Sequence, residues 1–157
     1  MADISTNSKP DNEENPLERQ RELMELLSQE TRHSIIQVLV GHPKILASAA
    51  EINHFVPSKS KKTVEEQLDV LVDAEILAIY EYPPNKEKRG LPWKFYGFTE
   101  YGAGVLGDFN YLKGVPMARA VHQQTRKPEK IERHEMAPRP PLPESIRATF
   151  RLDEETE

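Results

Sequence analysis

The chain has 157 residues and no cysteine. That absence removes structural disulfides, thiolate zinc sites and thiol redox chemistry together. Five scattered histidines are then the only soft metal ligands, and no pair has the i, i+4 spacing of a helical metal site. Each is expected on the surface or half-buried, with no metal bound. Long apolar runs are also lacking. The longest, such as SIIQVLV from Ser34, fall far short of a membrane span, and the opening MADISTNSKPDNEENP is polar and acidic, unlike a signal peptide. A soluble, cytoplasmic protein is expected. No nucleophile or metal spacing accompanies the only neighbouring His and carboxylate groups, Glu132, His134 and Glu135. The segment around them, RKPEKIERHE, reads as a solvated helix. No catalytic residue is assigned and no cofactor is required.

What is present is 37% apolar and 30% charged residues, enough for one domain with a core plus some uncommitted sequence. The net charge of -5 sits in the tails. Residues 1–17 set Lys9 against Asp3, Asp11, Glu13 and Glu14, and residues 151–157 set Arg151 against Asp153, Glu154, Glu155 and Glu157, so each tail carries -3. Residues 18–150 are left at +1, with basic clusters at Lys59, Lys61 and Lys62 and at Lys86, Lys88, Arg89 and Lys94. A near-neutral body with clustered cations is compatible with a polyanion partner.

From Leu17 the apolar spacing predicts two helical pieces meeting at SQET, the second from about Thr31 to Val40, capped by Ser28 or Thr31 and stopped by Gly41 and Pro43. Ser48 before AAEI, with Glu51 three residues on, matches a capping box and starts a short helix that Pro57 ends. After VPSKS, Ser60, or alternatively Ser58, caps a helix to about Ala74. Its apolar stripe is Val64, Leu68, Leu71 and Val72. The opposite face carries Lys62, Thr63, Glu66, Asp69 and Val70, with Lys61, Glu65 and Gln67 on the flanks. ILAIYEY and WKFYGF read as strands joined by a long basic loop near PPNKEKRGLP, with Lys86, Lys88 and Arg89 projecting at its tip. The aromatics Tyr80, Tyr82, Trp93, Phe95 and Tyr96 are expected to pack rather than stack on bases.

This order of elements suits one helix placed in a DNA groove with a wing beside it. Lys59, Ser60, Lys61 and Lys62 are candidate phosphate contacts at a positive helix end, Thr63 and Gln67 candidate base readers, and Lys86, Lys88, Arg89 and Lys94 candidate wing contacts. Glu65, Glu66 and Asp69 would be repelled by phosphates, which favours an approach by the first turn only.

TRHSIIQVL, AAEIN, KKTVEEQLDVLVDAEIL and YGFTEYGAGVL, in that order, resemble archaeal transcriptional regulators of the arsenical-repressor-like (ArsR) class over about residues 20–112. The tail from YLKGVPMARAVHQQ to APRPPLPE is similar to the extension of uncharacterised halophilic-archaeal members. The resemblance implies a mainly α fold with a small β-hairpin wing, a winged helix-turn-helix plus C-terminal helices. It also implies a homodimer on double-stranded DNA, with recognition helix Ser60 to Ala74 and wing Leu77 to Phe98. The cysteine pairs of the metal-sensing branch are missing, and Glu75 stands where a Gly usually precedes the wing.

GAGVLG from Gly102 matches the dinucleotide fingerprint, but no strand–helix alternation surrounds it, so it reads as a glycine-rich helix start. Helices are expected from Thr99 to about Leu112 and from Pro116 to about Arg126. PRPPLPESIRATF should be extended, then form at most a short helix, packing on a partner or dangling. Surplus apolar residues Leu23, Leu26, Leu27, Val105, Leu106, Phe109 and Leu112 are assigned to a dimer interface. The expected organisation is an acidic disordered tail over 1–16, a winged helix-turn-helix over 17–112, a helical extension over 113–137 as dimerisation candidate, and a Pro-rich segment, short helix and acidic tail over 138–157. A DNA-binding regulator follows, its small-molecule effector unknown. The alternative is a scaffold of the same fold whose acidic helix face contacts protein.

Overall fold

The computed structural model describes residues 15–150. The expected acidic tails over 1–14 and 151–157 lie outside the described residues. The first helix, α1 (Pro16–Ser28), opens inside the expected tail, with Asn15 Oδ1 accepting from Glu18 N–H at 3.1 Å and Pro16 in the first turn. Helix α2 (Glu30–Gly41) is capped by Gln29, whose Oε1 accepts from Arg32 N–H at 2.9 Å, rather than by Ser28 or Thr31. There follow β1 (Leu46–Ala47), α3 (Ala49–His54), α4 (Lys61–Asp73), β2 (Leu77–Glu81) and β3 (Lys94–Phe98), with a 3-10 turn at Pro83–Glu87 between the last two. Then come α5 (Glu100–Asp108), a 3-10 turn at Tyr111–Gly114, α6 (Val115–Gln124), α7 (Glu129–Met136) and α8 (Glu144–Thr149). The strands form one antiparallel sheet, order β1-β3-β2, with Leu46 opposite Gly97, Leu77 opposite Phe98 and Glu81 opposite Lys94. Strand β1 escaped the sequence reading because two residues show no alternation.

The core lies between the helices and the sheet. Ile35, Ile36 and Leu39 of α2, Ile52 of α3, Val64, Leu68 and Leu71 of α4 and Phe95 and Phe98 of β3 are fully buried, each contributing about 1.5–3 kcal/mol by transfer. The C-terminal segment belongs to this core. Leu142 and Ile146 are buried, and the Phe150 ring stacks on Phe98 with centroids 5.4 Å apart. This corrects the dimer assignment of Leu27, Val105 and Leu106. Leu27, Val105 and Leu106 are buried within one chain, and Leu23, Leu26, Phe109 and Leu112 are half-buried against the same core. The surplus stripe on α5 is covered by α8 and the 3-10 turn at Tyr111, so the chain's own extension takes the place given to a partner.

Two local devices set the path from α4 to α5. Glu75 has φ 65°, the left-handed conformation a Gly would favour, and Ile76 N–H reaches Leu71 O at 3.0 Å while Glu75 N–H reaches Val72 O at 2.9 Å. These are the paired bonds of a Schellman stop, formed by a residue with a side chain. Thr99 caps α5 by accepting from Gly102 N–H at 2.8 Å and donates to Glu75 O at 2.6 Å. Gly102 then sits so tightly that a Cβ on it would lie 2.1 Å from Ile76 O, whereas one on Gly104 would meet open space.

A buried polar cluster fastens the C-terminal segment to α3. Ser48 Oγ accepts from Glu51 N–H at 3.2 Å and Glu51 Oε1 from Ser48 N–H at 2.8 Å, the reciprocal box expected from SAAE. Glu51 is 1% exposed, and its Oε2 meets His42 Nε2 at 3.1 Å. His42 Nδ1 accepts from Lys44 N–H at 3.0 Å, which leaves Nε2 to carry the ring proton and donate it. Arg139 Nη1 stands 3.7 Å from Glu51 Oε1, and its guanidinium donates to the carbonyls of Leu46, His134, Glu135 and Ala137. Ser48 Oγ meets His134 Nδ1 at 2.9 Å, and Glu135 is met by His122 Nε2 at 3.2 Å and Lys127 Nζ at 2.5 Å. His42 and His122, expected on the surface or half-buried, are thus buried, and RKPEKIERHE is anchored by Glu135 and Ile131. Each imidazole found a partner too distant in sequence for spacing to reveal.

Gly102→Ala should destabilise the protein by about 1–3 kcal/mol through overpacking, and Gly104→Ala should stabilise it by about 0.5–1 kcal/mol, both read by urea unfolding. Burial, followed by the charge of His42, lowers the pKa of His122 below the ordinary 6.5. At His134, burial with the charges of Lys130 and Arg139 outweighs the raising charge of Glu51. At Glu51 and Glu135 burial pulls upward but is outweighed, chiefly by the hydrogen bonds of His42 to the first and Lys127 to the second, so both carboxyls titrate below the ordinary 4.5. All four groups bind protons more readily when unfolded. Stability should therefore be level above about pH 7 and fall as pH drops below 6.5 for the histidines, then further below 4.5 for the carboxylates. Urea melts between pH 4 and pH 8 check this, and His122→Gln should flatten the upper part of the fall, about pH 5–6.5.

Candidate nucleic-acid interface

Helix α4 forms because Ser60 Oγ accepts from Thr63 N–H at 3.1 Å and because Val64, Leu68 and Leu71 bury one stripe. Its exposed residues are Lys61, Lys62, Glu66, Asp69 and Asp73, so the first turn is cationic and the rest of the outer face anionic. Burial, then the charges of Asp69 and Glu65, raises the pKa of the Tyr96 phenol on β3. The positive end of the helix adds to Lys61 and Lys62. An anion is accommodated at the first turn and repelled beyond it.

The other sequence-expected groups are more engaged than free. Lys59 Nζ is 3.6 Å from Glu30 Oε1, a partly exposed pair worth little and easily exchanged. Ser60 Oγ also donates to Thr63 Oγ1 at 3.1 Å, so the Ser60 hydroxyl is used twice at the cap while Thr63 Oγ1 only accepts. Gln67 Oε1 accepts from Arg32 Nη1 at 2.7 Å, and Arg32 Nε donates to Leu26 O at 2.7 Å. Gln67, expected as a base reader, would have to exchange this contact with Arg32 for one to a base edge. Arg32 was not among the candidate residues. Arg32 lies in TRHSIIQVL, and its pairing with α4 depends on how α2 crosses that helix.

The loop between β2 and β3 is folded back rather than projecting freely. Asn85, 1% exposed, donates from Nδ2 to Pro92 O at 2.9 Å and to Pro138 O at 2.8 Å, which ties the loop to the C-terminal segment. Lys86 Nζ lies 4.2 Å and Lys94 Nζ 5.0 Å from the Trp93 ring centroid, so one aromatic face gathers two cations. Lys88 and Arg89 are exposed. Gly90 has φ 84°, and the Arg133 guanidinium of α7 comes up beside it. The sequence placed Arg133 in a solvated helix, yet the fold adds it to the basic loop. Tyr80, whose OH donates to Phe98 O at 2.7 Å, and the buried Phe95 are packing residues, as expected. Among the described residues no three His, Cys, Asp or Glu are grouped to hold a metal ion, and no helix is long and apolar enough to cross a membrane.

No protein-family model and no curated protein matches the chain. It is similar to a solved structure, a protein with a GntR superfamily winged-helix-turn-helix domain from Halomicrobium mukohataei. The identity is 24% and the TM-score 0.76, over 85% of this chain and 95% of that one. The fold is a winged helix-turn-helix. In its terms α3 and α4 form the helix-turn-helix, α4 takes the recognition position, and β2, β3 and the loop held by Asn85 form the wing. GAGVLG opens α5 behind this wing. The three strands are antiparallel, so the glycines stand in no βαβ unit and serve helix packing instead.

Asn85→Ala leaves the Pro92 and Pro138 carbonyls without their shared donor. It should cost about 1–3 kcal/mol and speed amide exchange across residues 83–92 relative to α4, as read by hydrogen–deuterium exchange.

Proposed function

We propose that the chain is a DNA-binding transcriptional regulator that docks on duplex DNA through the first turn of α4 and the basic wing. The observation that carries this is the division of charge within the winged helix-turn-helix. Lys61 and Lys62 are exposed at the positive end of the recognition-position helix, and Lys86, Lys88, Arg89 and Lys94 are exposed on the wing, while the rest of the helix face is acidic. Such an arrangement supports phosphate contacts that set position, with sequence read by few side chains, Thr63 foremost. The role is not catalytic. The sequence motifs resemble the ArsR-like class and the similar solved structure is described as GntR superfamily. The two agree on a winged helix-turn-helix domain and differ on the branch.

We infer that the active form is a homodimer, the form that reads a two-fold site, with Leu27, Val105 and Leu106 buried away from its interface. Leu17 and Met24, two turns apart on α1 and 77% and 52% exposed, offer an apolar strip instead. A second role, contact with a protein through the acidic face, is favoured by exposed Glu66, Asp69 and Asp73.

Fluorescence anisotropy on random duplex across a salt series separates the two. The expected result is binding whose log–log salt slope falls by about 3 when Lys61, Lys62 and Arg89 are replaced together by Ala. No binding at low salt, or binding indifferent to the triple replacement, would sink the DNA role and leave the protein-contact role.

A further inference from the structure

The C-terminal segment brings one more cation to the wing. Helix α7 is seated by Ile131, which is buried, and by Glu135, which His122 and Lys127 hold at 3.2 Å and 2.5 Å. Arg133 lies two residues from each, so on an α-helix it projects about 160° away from both. Its side chain runs along the wing loop, where a Cβ on Gly90 would meet Nη1 at 3.5 Å and Cδ at 3.8 Å. Two other cations of the segment are spent inside the chain, Lys127 on Glu135 and Arg139 on Glu51 and four backbone carbonyls. Arg133 is turned outward instead. It is 49% exposed, and its ion pair with Glu129 Oε2, at 3.6 Å, is open to water and easily exchanged.

The loop that Arg133 meets is ordered by its own bonds. Asn85 fastens it to Pro138 O, Lys88 N–H reaches Asn85 O at 3.1 Å, Leu91 N–H reaches Lys88 O at 3.3 Å, and Gly90 turns the chain at φ 84°. Lys88 and Arg89 are exposed on this turn, immediately before the glycine that Arg133 touches, while Lys86 and Lys94 flank the Trp93 ring. Cations from residues 86–94 and from α7 thus share one surface. Exposed Glu81, Glu87 and Glu129 offset part of their repulsion, Glu81 standing opposite Lys94 in the strand register, but leave the cations in excess. Like charges gathered in this way do nothing for folding. A phosphate backbone, with one charge every ~3.4 Å along each strand, rewards the arrangement.

We propose that Arg133 is a phosphate contact, so that the surface meeting the DNA backbone runs from the wing loop on to α7. The inference rests on the DNA-binding role above and adds to it a residue of the C-terminal extension. On binding, a phosphate oxygen takes the place of Glu129 on the guanidinium, and the contact fixes the position of the wing rather than reading a base. Because Ile131 and Glu135 seat α7, the cation is presented by a packed helix.

The test measures anisotropy of the full chain on a fluorescent random duplex across a salt series. Arg133→Gln should lower the log–log salt slope by about 1 and weaken binding about five- to tenfold at about 0.1 M salt, alike across sequences. Arg133→Lys should recover most of both. Arg21→Gln, at an exposed arginine of α1 paired in the same way with Glu18 at 3.2 Å, should leave the slope unchanged. Glu129→Gln, which frees Arg133, should tighten binding about two- to fivefold, the worth of one exposed pair, and should do so only while Arg133 is present. Trp93, the only tryptophan of the chain, should change its emission as duplex binds. An unchanged slope in Arg133→Gln, an equal loss in Arg21→Gln, or unchanged Trp93 emission at saturating duplex overturns the inference and leaves the DNA role standing. A loss that Arg133→Lys does not recover, with faster amide exchange over residues 83–92, marks a packing role and overturns it too. Absence of binding by the unaltered chain removes the DNA role first and this inference with it, so the two failures are told apart.

Discussion

The carboxylate of Glu51 is the joint on which the rest of this structure depends. It holds the N-terminus of α3 through Ser48, the loop after α2 through His42, and the C-terminal segment through Arg139. A charge this deep is tolerated because hydrogen bonds and one guanidinium compensate it on all sides, and removal of a partner would leave it uncompensated in a medium of low dielectric. The next residue before Arg139 is Pro138, whose carbonyl receives Asn85 of the wing. One buried ion pair thus links α3, the C-terminal segment and the wing loop.

That foundation explains why the C-terminal residues are built into the domain. Without α8 and Phe150, the stripe of α5 and the face of Phe98 would be open, and a second copy would be the obvious cover. With them, Val105 and Leu106 are satisfied within one chain. Polar contacts share the load: His122, Lys127 and Glu135 join α6 to α7, and Arg139 caps the carbonyls at the end of α7. The same packing leaves a groove between α2 and α6 unfilled, because Gly41 brings the helices together at one point while Met117 and Val121 point outward.

Electrostatics limits what α4 can do. Two lysines at a helix N-terminus attract phosphate, but Glu66, Asp69 and Asp73 follow within the next three turns, and screening over about 8–10 Å cannot hide them from a groove wall. Gln67 is held by Arg32, and Lys86 and Lys94 gather on Trp93. The surface is therefore one of a few positioned cations rather than a broad basic patch. That arrangement is compatible with a chain whose total charge is -5.

Much of this was legible from the chain itself, where a short-range cause was at work. The Ser48 box, the Ser60 cap, the buried stripe of α4, the two main strands and the Thr99 start of α5 are set within one turn or one strand, and each appears where its residues indicate. The clustering of cations at the start of α4 and in the wing loop was equally a property of sequence. Only the tertiary structure decided which groups are free. That His42 and His122 are buried, that Gln67 is held by Arg32 and that Asn85 is strapped to Pro138 follow from residues meeting across 9 to 53 positions, and that Leu27, Val105 and Leu106 are core follows from distant segments packing on them. Periodicity reports which face of an element is apolar, but not what covers it, because the cover is supplied by a distant segment whose own pattern looks the same whether it packs on its own chain or on another.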